Sequence, residues 1–143
     1  MRERGKPFLR YFSEQLEILL GRGLTCADGF SEEELKCAES AAGFALPDAM
    51  RAYFAVAGHL AINKLHNVLY NPDDMFVMDE MIVFMEENQR VVFWGFRAQD
   101  VQSCDPLIYQ AANTEEKAWY SEDMPFSEFI MKMWKWEKEG NCI

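Results

Sequence analysis

His59 and His66 are the only histidines in the chain. With Asp73, Asp74 or a cysteine they offer the nitrogen, oxygen and sulfur ligands that zinc or iron prefers. Their spacing matches no compact Cys/His metal motif, so the plain reading is a satisfied structural or surface histidine at each position, and no metal is expected. Cys26, Cys37, Cys104 and Cys142 are scattered without a Cys-x-x-Cys pair. A Cys-His nucleophile would assemble only in the fold, and no sequence signal marks one of these thiols as activated. Asp73-Asp74, Asp79-Glu80 and Glu86-Glu87 resemble paired carboxylates. Neighbours along a strand point to opposite faces, so general acid-base work on one substrate would require pairing across strands. Glycine-rich phosphate loops, a Gly-x-Ser-x-Gly elbow and a Walker motif are absent, and Gly21-Arg22-Gly23 reads as a helix end. No cofactor is expected, and the weight of the reading moves from catalysis to binding.

Charge narrows the partner. The 143 residues hold 14 Lys and Arg against 24 Asp and Glu, a formal charge of -10. That balance disfavours nucleic acid and anionic membranes and favours a basic protein. Residues 1–10 are the exception, with four basic side chains and one acidic. Six acidic residues and no basic one fall between Leu65 and Gln89, and seven fall between Ala98 and Met131 against Lys117 alone. Asp73, Asp74, Glu86, Glu87, Glu122 and Asp123 are the candidate partner-binding charges; for each, the alternative is an ordinary solvated turn or strand end. Trp94, Trp119, Trp134 and Trp136 lack the interleaved basic stripe of a single-strand binder and fit a core or a protein interface. Arg10, Glu14 and Glu17 interrupt any apolar leader, no stretch reaches the ~20 apolar residues of a membrane span, and scattered thiols suit a reducing compartment. A cytoplasmic location is the expectation.

The elements that must position these residues follow from periodicity. Phe8, Leu9, Phe12, Leu16, Leu19 and Leu20 recur at helical spacing up to Gly21. Ser31 and Glu34 have capping-box spacing ahead of a helix from about Glu32 to Ala42, with Gly43 placed to end it. Pro47 starts a third helix that carries Met50, Tyr53, Phe54 and Ala57 on one face and stops at Gly58. Residues 61–74 read as loop or a short strand ending in an Asn71-Pro72-Asp73-Asp74 turn. Residues 76–85 and 91–96 read as strands joined by a hairpin turn at Glu87-Asn88-Gln89-Arg90. A strand follows Asp105-Pro106, a further one is assigned to residues 117–120, and a helix behind Ser127 as cap carries Phe126, Phe129, Ile130, Met133 and Trp134. Helices, then consecutive strands, then a helix predict an α+β domain: an antiparallel meander with N-terminal helices and a C-terminal helix packed on it, in one unit spanning the chain. The first hairpin is apolar on both sides. Either helices cover both faces of the sheet, or one face receives a partner, a second copy of the chain included.

This order of motifs resembles the SUKH superfamily of bacterial immunity proteins and fungal cell-wall synthesis regulators. The matching pieces are the acidic helix running into Gly43-Phe44-Ala45-Leu46-Pro47, the helix ending Ala57-Gly58, and the strands Ile82-Val83-Phe84 and Val91-Val92-Phe93-Trp94. Asp105-Pro106-Leu107-Ile108-Tyr109 and the closing Phe126-Ser127-Glu128-Phe129-Ile130 complete the set. The resemblance covers residues 31–136. The chain departs from the pattern at Ala57-Gly58, where relatives often have Asn-Gly, and offers no matching motif in residues 61–74. The resemblance implies helices on an antiparallel sheet, no catalytic residues, and neutralisation of a toxin by direct binding. The leading expectation is therefore a non-enzymatic immunity protein for a basic toxin, such as a nuclease. A regulatory adaptor for an endogenous protein is the second reading, and a small metal- or ligand-dependent enzyme using His59 and His66 is the third.

Overall fold

The computed structural model describes residues 6–141; residues 1–5, which carry part of the basic N-terminal charge, and Cys142 lie outside them. Four helices, α1 (Lys6–Leu20), α2 (Glu32–Ala42), α3 (Asp48–Ala57) and α4 (Phe126–Trp136), pack with one antiparallel sheet. Its strands are β1 (Val68–Leu69), β2 (Phe76–Met78), β3 (Met81–Glu86), β4 (Val92–Arg97), β5 (Leu107–Ala112) and β6 (Tyr120–Pro125). The order is β1-β3-β4-β5-β6, with β2 sharing the β3 edge with β1. This is the α+β meander that the periodicity predicts.

The helix ends obey local chemistry. Ser31 Oγ accepts from the Glu34 backbone N–H, while Glu34 Oε1 accepts from the Ser31 N–H, closing the expected capping box. Gly43 ends α2 in the left-handed region at φ 86°, where a side chain is disfavoured. Pro47 stands one position earlier than expected, as the cap before Asp48. Arg51 fastens α3 to α2 through Glu32 (2.7 Å) and Glu39 (3.2 Å).

The core is aromatic. Phe12, Tyr53, Phe54, Phe84, Phe96, Phe126 and Trp134 are fully buried, and Phe12 meets Tyr53 edge-on at 5.2 Å between ring centres. The two polar aromatic tips at the centre satisfy each other. Trp134 Nε1 donates to the Tyr53 hydroxyl (2.8 Å), which donates to Asn63 Oδ1 (2.6 Å). Asn63 Nδ2 then donates to the carbonyls of Ala57 and Gly58, two of the orphan acceptors at the end of α3.

Three further sequence expectations need correction. The strand assigned to residues 76–85 is broken by a two-residue hairpin at Asp79-Glu80, both with positive φ (56° and 62°), a conformation that non-glycine residues rarely adopt and that hid the turn. The last strand is Tyr120–Pro125 rather than residues 117–120. Ser127 is not the cap of α4. The Asp105 carboxylate reaches in from the start of β5 and accepts from the Ser127 N–H (3.0 Å) and Oγ (2.6 Å).

The apolar β3 has helices over one of its faces, not over both. Ile82 and Phe84 join the core beneath the helices. Met81 and Val83 are buried on the opposite face, where Val83 pairs with Phe76 and Gly95, and Gly95 with Tyr109. Side chains of the sheet cover that face in part, while Phe76 and Arg97 stay exposed. Phe76 and Phe93 meet at 6.1 Å, Arg97 lies 4.9 Å above the Tyr109 ring, and Trp119 Nε1 donates to Asp79 Oδ2.

Candidate functional site

On the helix side of β4, β5 and β6 the packing is incomplete. A cleft of about 760 Å³ opens there against α4. Its cause is visible in the helix. Phe126, Ile130 and Trp134, spaced by four, turn into the core; Phe129, buried against Phe84, belongs to both core and cleft, and Lys132, Met133 and Trp136 continue from it along the cleft. The apolar arc of α4 extends past the fully buried residues to Met133 and Trp136, and these become a wall of the cleft.

Asp105 fixes where that helix starts. Burial pushes its carboxyl above the ordinary carboxylate range, opposed by the two bonds from Ser127. A further bond, from the Phe126 N–H to the Pro106 carbonyl, holds α4 to the head of β5. Asn67 anchors the other end. Its Nδ2 contacts Met133 Sδ at 3.3 Å, its Oδ1 accepts from the Asn88 N–H, and its backbone N–H donates to Glu137. Burial nevertheless pushes the Glu137 carboxyl up to about 7.

The facing wall comes from three strands: Val92 and Trp94 on β4, Gln110 on β5, and Glu122 and Met124 on β6. Trp94 and Gln110 are direct partners in the ladder. β6 is irregular beside them, with Leu107 opposite Pro125 but Tyr109 opposite Ser121. Asp123 absorbs the extra length at φ 59°, its N–H bonded to Ser121 Oγ. The bulge sends the two neighbouring carboxylates to different tasks. Glu122 Oε2 accepts from Trp94 Nε1 (2.9 Å) and Gln110 Nε2 (3.1 Å), while Asp123 is exposed.

Of the six candidate charges, only Glu87 and Glu122 line this cleft. Glu87 also organises the hairpin, its Oε1 accepting from the N–H groups of Gln89 and Val91. Glu86 pairs with Arg90 at 3.4 Å, and it stands beside the Tyr70 hydroxyl, which burial and that carboxylate hold above its ordinary range. Asp73 and Asp74 are exposed on a 3₁₀ turn, Pro72–Asp74, packed against α2 and near Lys64. The histidines part company as well. His59 Nε2 lies 2.8 Å from Glu34 Oε2 with its ring against Phe30, whereas His66 lies at the cleft. Among the described residues no three His, Cys, Asp or Glu side chains gather as a metal site, and no disulfide forms.

Sequence reasoning missed the Trp94–Gln110–Glu122 cluster and the cleft side of α4. The width of the α4 apolar arc was the available signal; the bulge that turns Glu122 inward has none. Among the described residues no helix is long and apolar enough to cross a membrane. No protein-family model, curated protein or solved structure matches the chain, so the fold and this cleft stand on its own residues.

Proposed function

We propose that this chain is a non-catalytic, cytoplasmic protein-binding domain of the SUKH type that neutralises a basic bacterial toxin by covering its working surface. The observation that carries the reading is the cleft between α4 and β4 to β6, in which aromatic and thioether side chains stand beside the hydrogen-bonded Glu122 carboxylate, on a chain of formal charge -10. Apolar concavities with a few convergent polar groups are the usual form of a small-ligand site, and the same shape accepts a side chain presented by a protein. Aromatic and methionine side chains are enriched at the centres of protein interfaces. Helices on one antiparallel sheet are also the architecture that the SUKH resemblance implies.

Within this reading the acidic residues divide their work. Asp73, Asp74 and Asp123 are exposed and act at long range, drawing a basic partner in. Glu87 and Glu122 act at contact, and Glu86 serves the fold through Arg90.

The test is capture of the tagged full chain's partner from its source cells at low and moderate salt, followed by assay of the identified protein. A basic toxin domain whose activity falls on adding this chain supports the reading. A non-toxic cellular partner would replace it with the adaptor reading.

A further inference from the structure

We propose that the cleft recognises an arginine or lysine side chain flanked by apolar residues, with Glu122 as the anion that receives it. The inference rests on the protein-binding reading and names the residue type that the partner presents.

Glu122 carries the argument. Both of its hydrogen bonds, from Trp94 Nε1 at 2.9 Å and Gln110 Nε2 at 3.1 Å, land on Oε2, and among the described residues nothing hydrogen-bonds Oε1. The carboxylate is thus held in position by two fixed donors with one oxygen still able to accept, within walls supplied by Trp94, Phe129, Met133 and Trp136. Charge-assisted hydrogen bonds are strongest where water is partly excluded. A purely apolar side chain seated here would strip water from Oε1 without replacing its bond. An anion would place like charge against Glu122.

The other charges at the cleft favour the same ligand. Glu87, Glu122 and Glu139 line it against Lys132 and Lys135. The carboxylates outnumber the ammonium groups by one, and both lysines make contacts outside the lining: Lys132 lies 3.9 Å from Glu128, and Lys135 Nζ donates to the neutral Gln15 Oε1 on α1 at 3.2 Å. The aromatic walls add a surface on which a cation, a guanidinium above all, is stabilised. At about 760 Å³ the cleft has room for the residues beside the basic one.

The experiment titrates the ¹⁵N-labelled full chain with acetyl-Leu-Arg-Leu-amide and follows the Trp94 indole N–H, assigned by triple-resonance spectroscopy. The comparison peptides replace arginine by citrulline, which keeps the shape without the charge, by norleucine or by glutamate. The expected result is a saturable shift of the Trp94 signal with the arginine peptide. Affinity should fall about tenfold or more for the citrulline and norleucine peptides, as for loss of one charge-assisted bond, and by a similar factor for Glu122→Gln. Equal affinity for the citrulline or norleucine peptide, preference for the glutamate peptide, or no Trp94 shift at millimolar arginine peptide each overturns the assignment. The peptide series uses the unaltered chain, so it decides the matter even if Glu122→Gln misfolds. Inhibition of a captured toxin without arginine-peptide binding would defeat the cleft assignment alone; arginine-peptide binding with no toxin neutralised would defeat the immunity reading alone.

Discussion

The Trp94 indole N–H donates to Glu122 Oε2 at 2.9 Å, and this single bond ties β4 to the sheet-edge strand β6 across the intervening β5. It makes Glu122 a structural acceptor as well as the proposed contact for a basic side chain. The two roles separate by substitution. Glu122→Gln keeps an amide oxygen for both donors and should cost less than about 1 kcal/mol, whereas Glu122→Ala leaves Trp94 Nε1 and Gln110 Nε2 unpaired and should cost roughly 1–3 kcal/mol. Urea unfolding of the two variants checks the order; equal losses would mean that the bond contributes nothing to the fold.

Tyr53→Phe should be among the more damaging single-atom deletions. The hydroxyl both accepts from Trp134 and donates to Asn63, and all three residues are buried. Its removal orphans a donor and an acceptor at once, for an expected loss of about 2–4 kcal/mol. A shift of less than about 0.5 kcal/mol in denaturant unfolding would show that water replaces the hydroxyl.

Stability should fall as pH rises from about 4.5 to about 7, because burial raises the Glu137 carboxyl from 4.5 when unfolded to about 7 when folded. The folded state then holds a proton that the unfolded chain has released, so the stabilisation is complete below the lower value and lost through the upper one. Below that window the slope reverses. Arg22 and the Thr25 N–H hold Asp28 down to about 2, and Arg51 holds Glu32 below its ordinary range, so protonating these groups is destabilising. Glu137→Gln should flatten the fall between pH 5 and 7 and leave the acid limb in place, as read by unfolding midpoints across that range.

The helices were legible because their signals are local. Ser31 and Glu34 are three residues apart, Gly43 closes the same helix, and the Phe12–Leu16 stripe needs only the period of an α-helix. The meander followed from strands joined by short turns. The features that shape the cleft were hidden because each depends on residues distant in sequence. Asp105 caps a helix twenty-two residues away, and Glu122 turns inward only because Asp123 takes up a bulge against β5. Local rules instead favoured Ser127 as the cap, and they grouped Glu122 with Asp123 as candidate partner-binding charges without separating the roles of the two.

Replacing that distant cap is informative for this reason. Asp105→Ala frees the Ser127 N–H and hydroxyl at the first turn of α4 and should cost about 1–2 kcal/mol, the usual range for losing a helix cap. Ser127→Ala keeps the bond between the N–H and Asp105 Oδ1 and should cost less. Thermal unfolding of the pair ranks them; a larger loss from Ser127→Ala would return the cap to Ser127.

Glu80→Gly offers a gain rather than a loss. Asp79 and Glu80 form the two-residue turn between β2 and β3 with φ values of 56° and 62°, a backbone that suits Asn-Gly and costs an ordinary L-residue about 1 kcal/mol. Asp79 has a reason to remain, since its Oδ2 accepts from Trp119 Nε1 and holds the loop before β6 across the outer face. Glu80 contributes only its backbone, whose carbonyl accepts from the Ala98 N–H, and glycine supplies the same group. The relief of strain should outweigh the added flexibility of the unfolded chain by roughly 0.5 kcal/mol. Denaturant unfolding of Glu80→Gly should therefore show a higher midpoint at unchanged slope; a lower midpoint would show that the turn relaxes out of the left-handed region in solution.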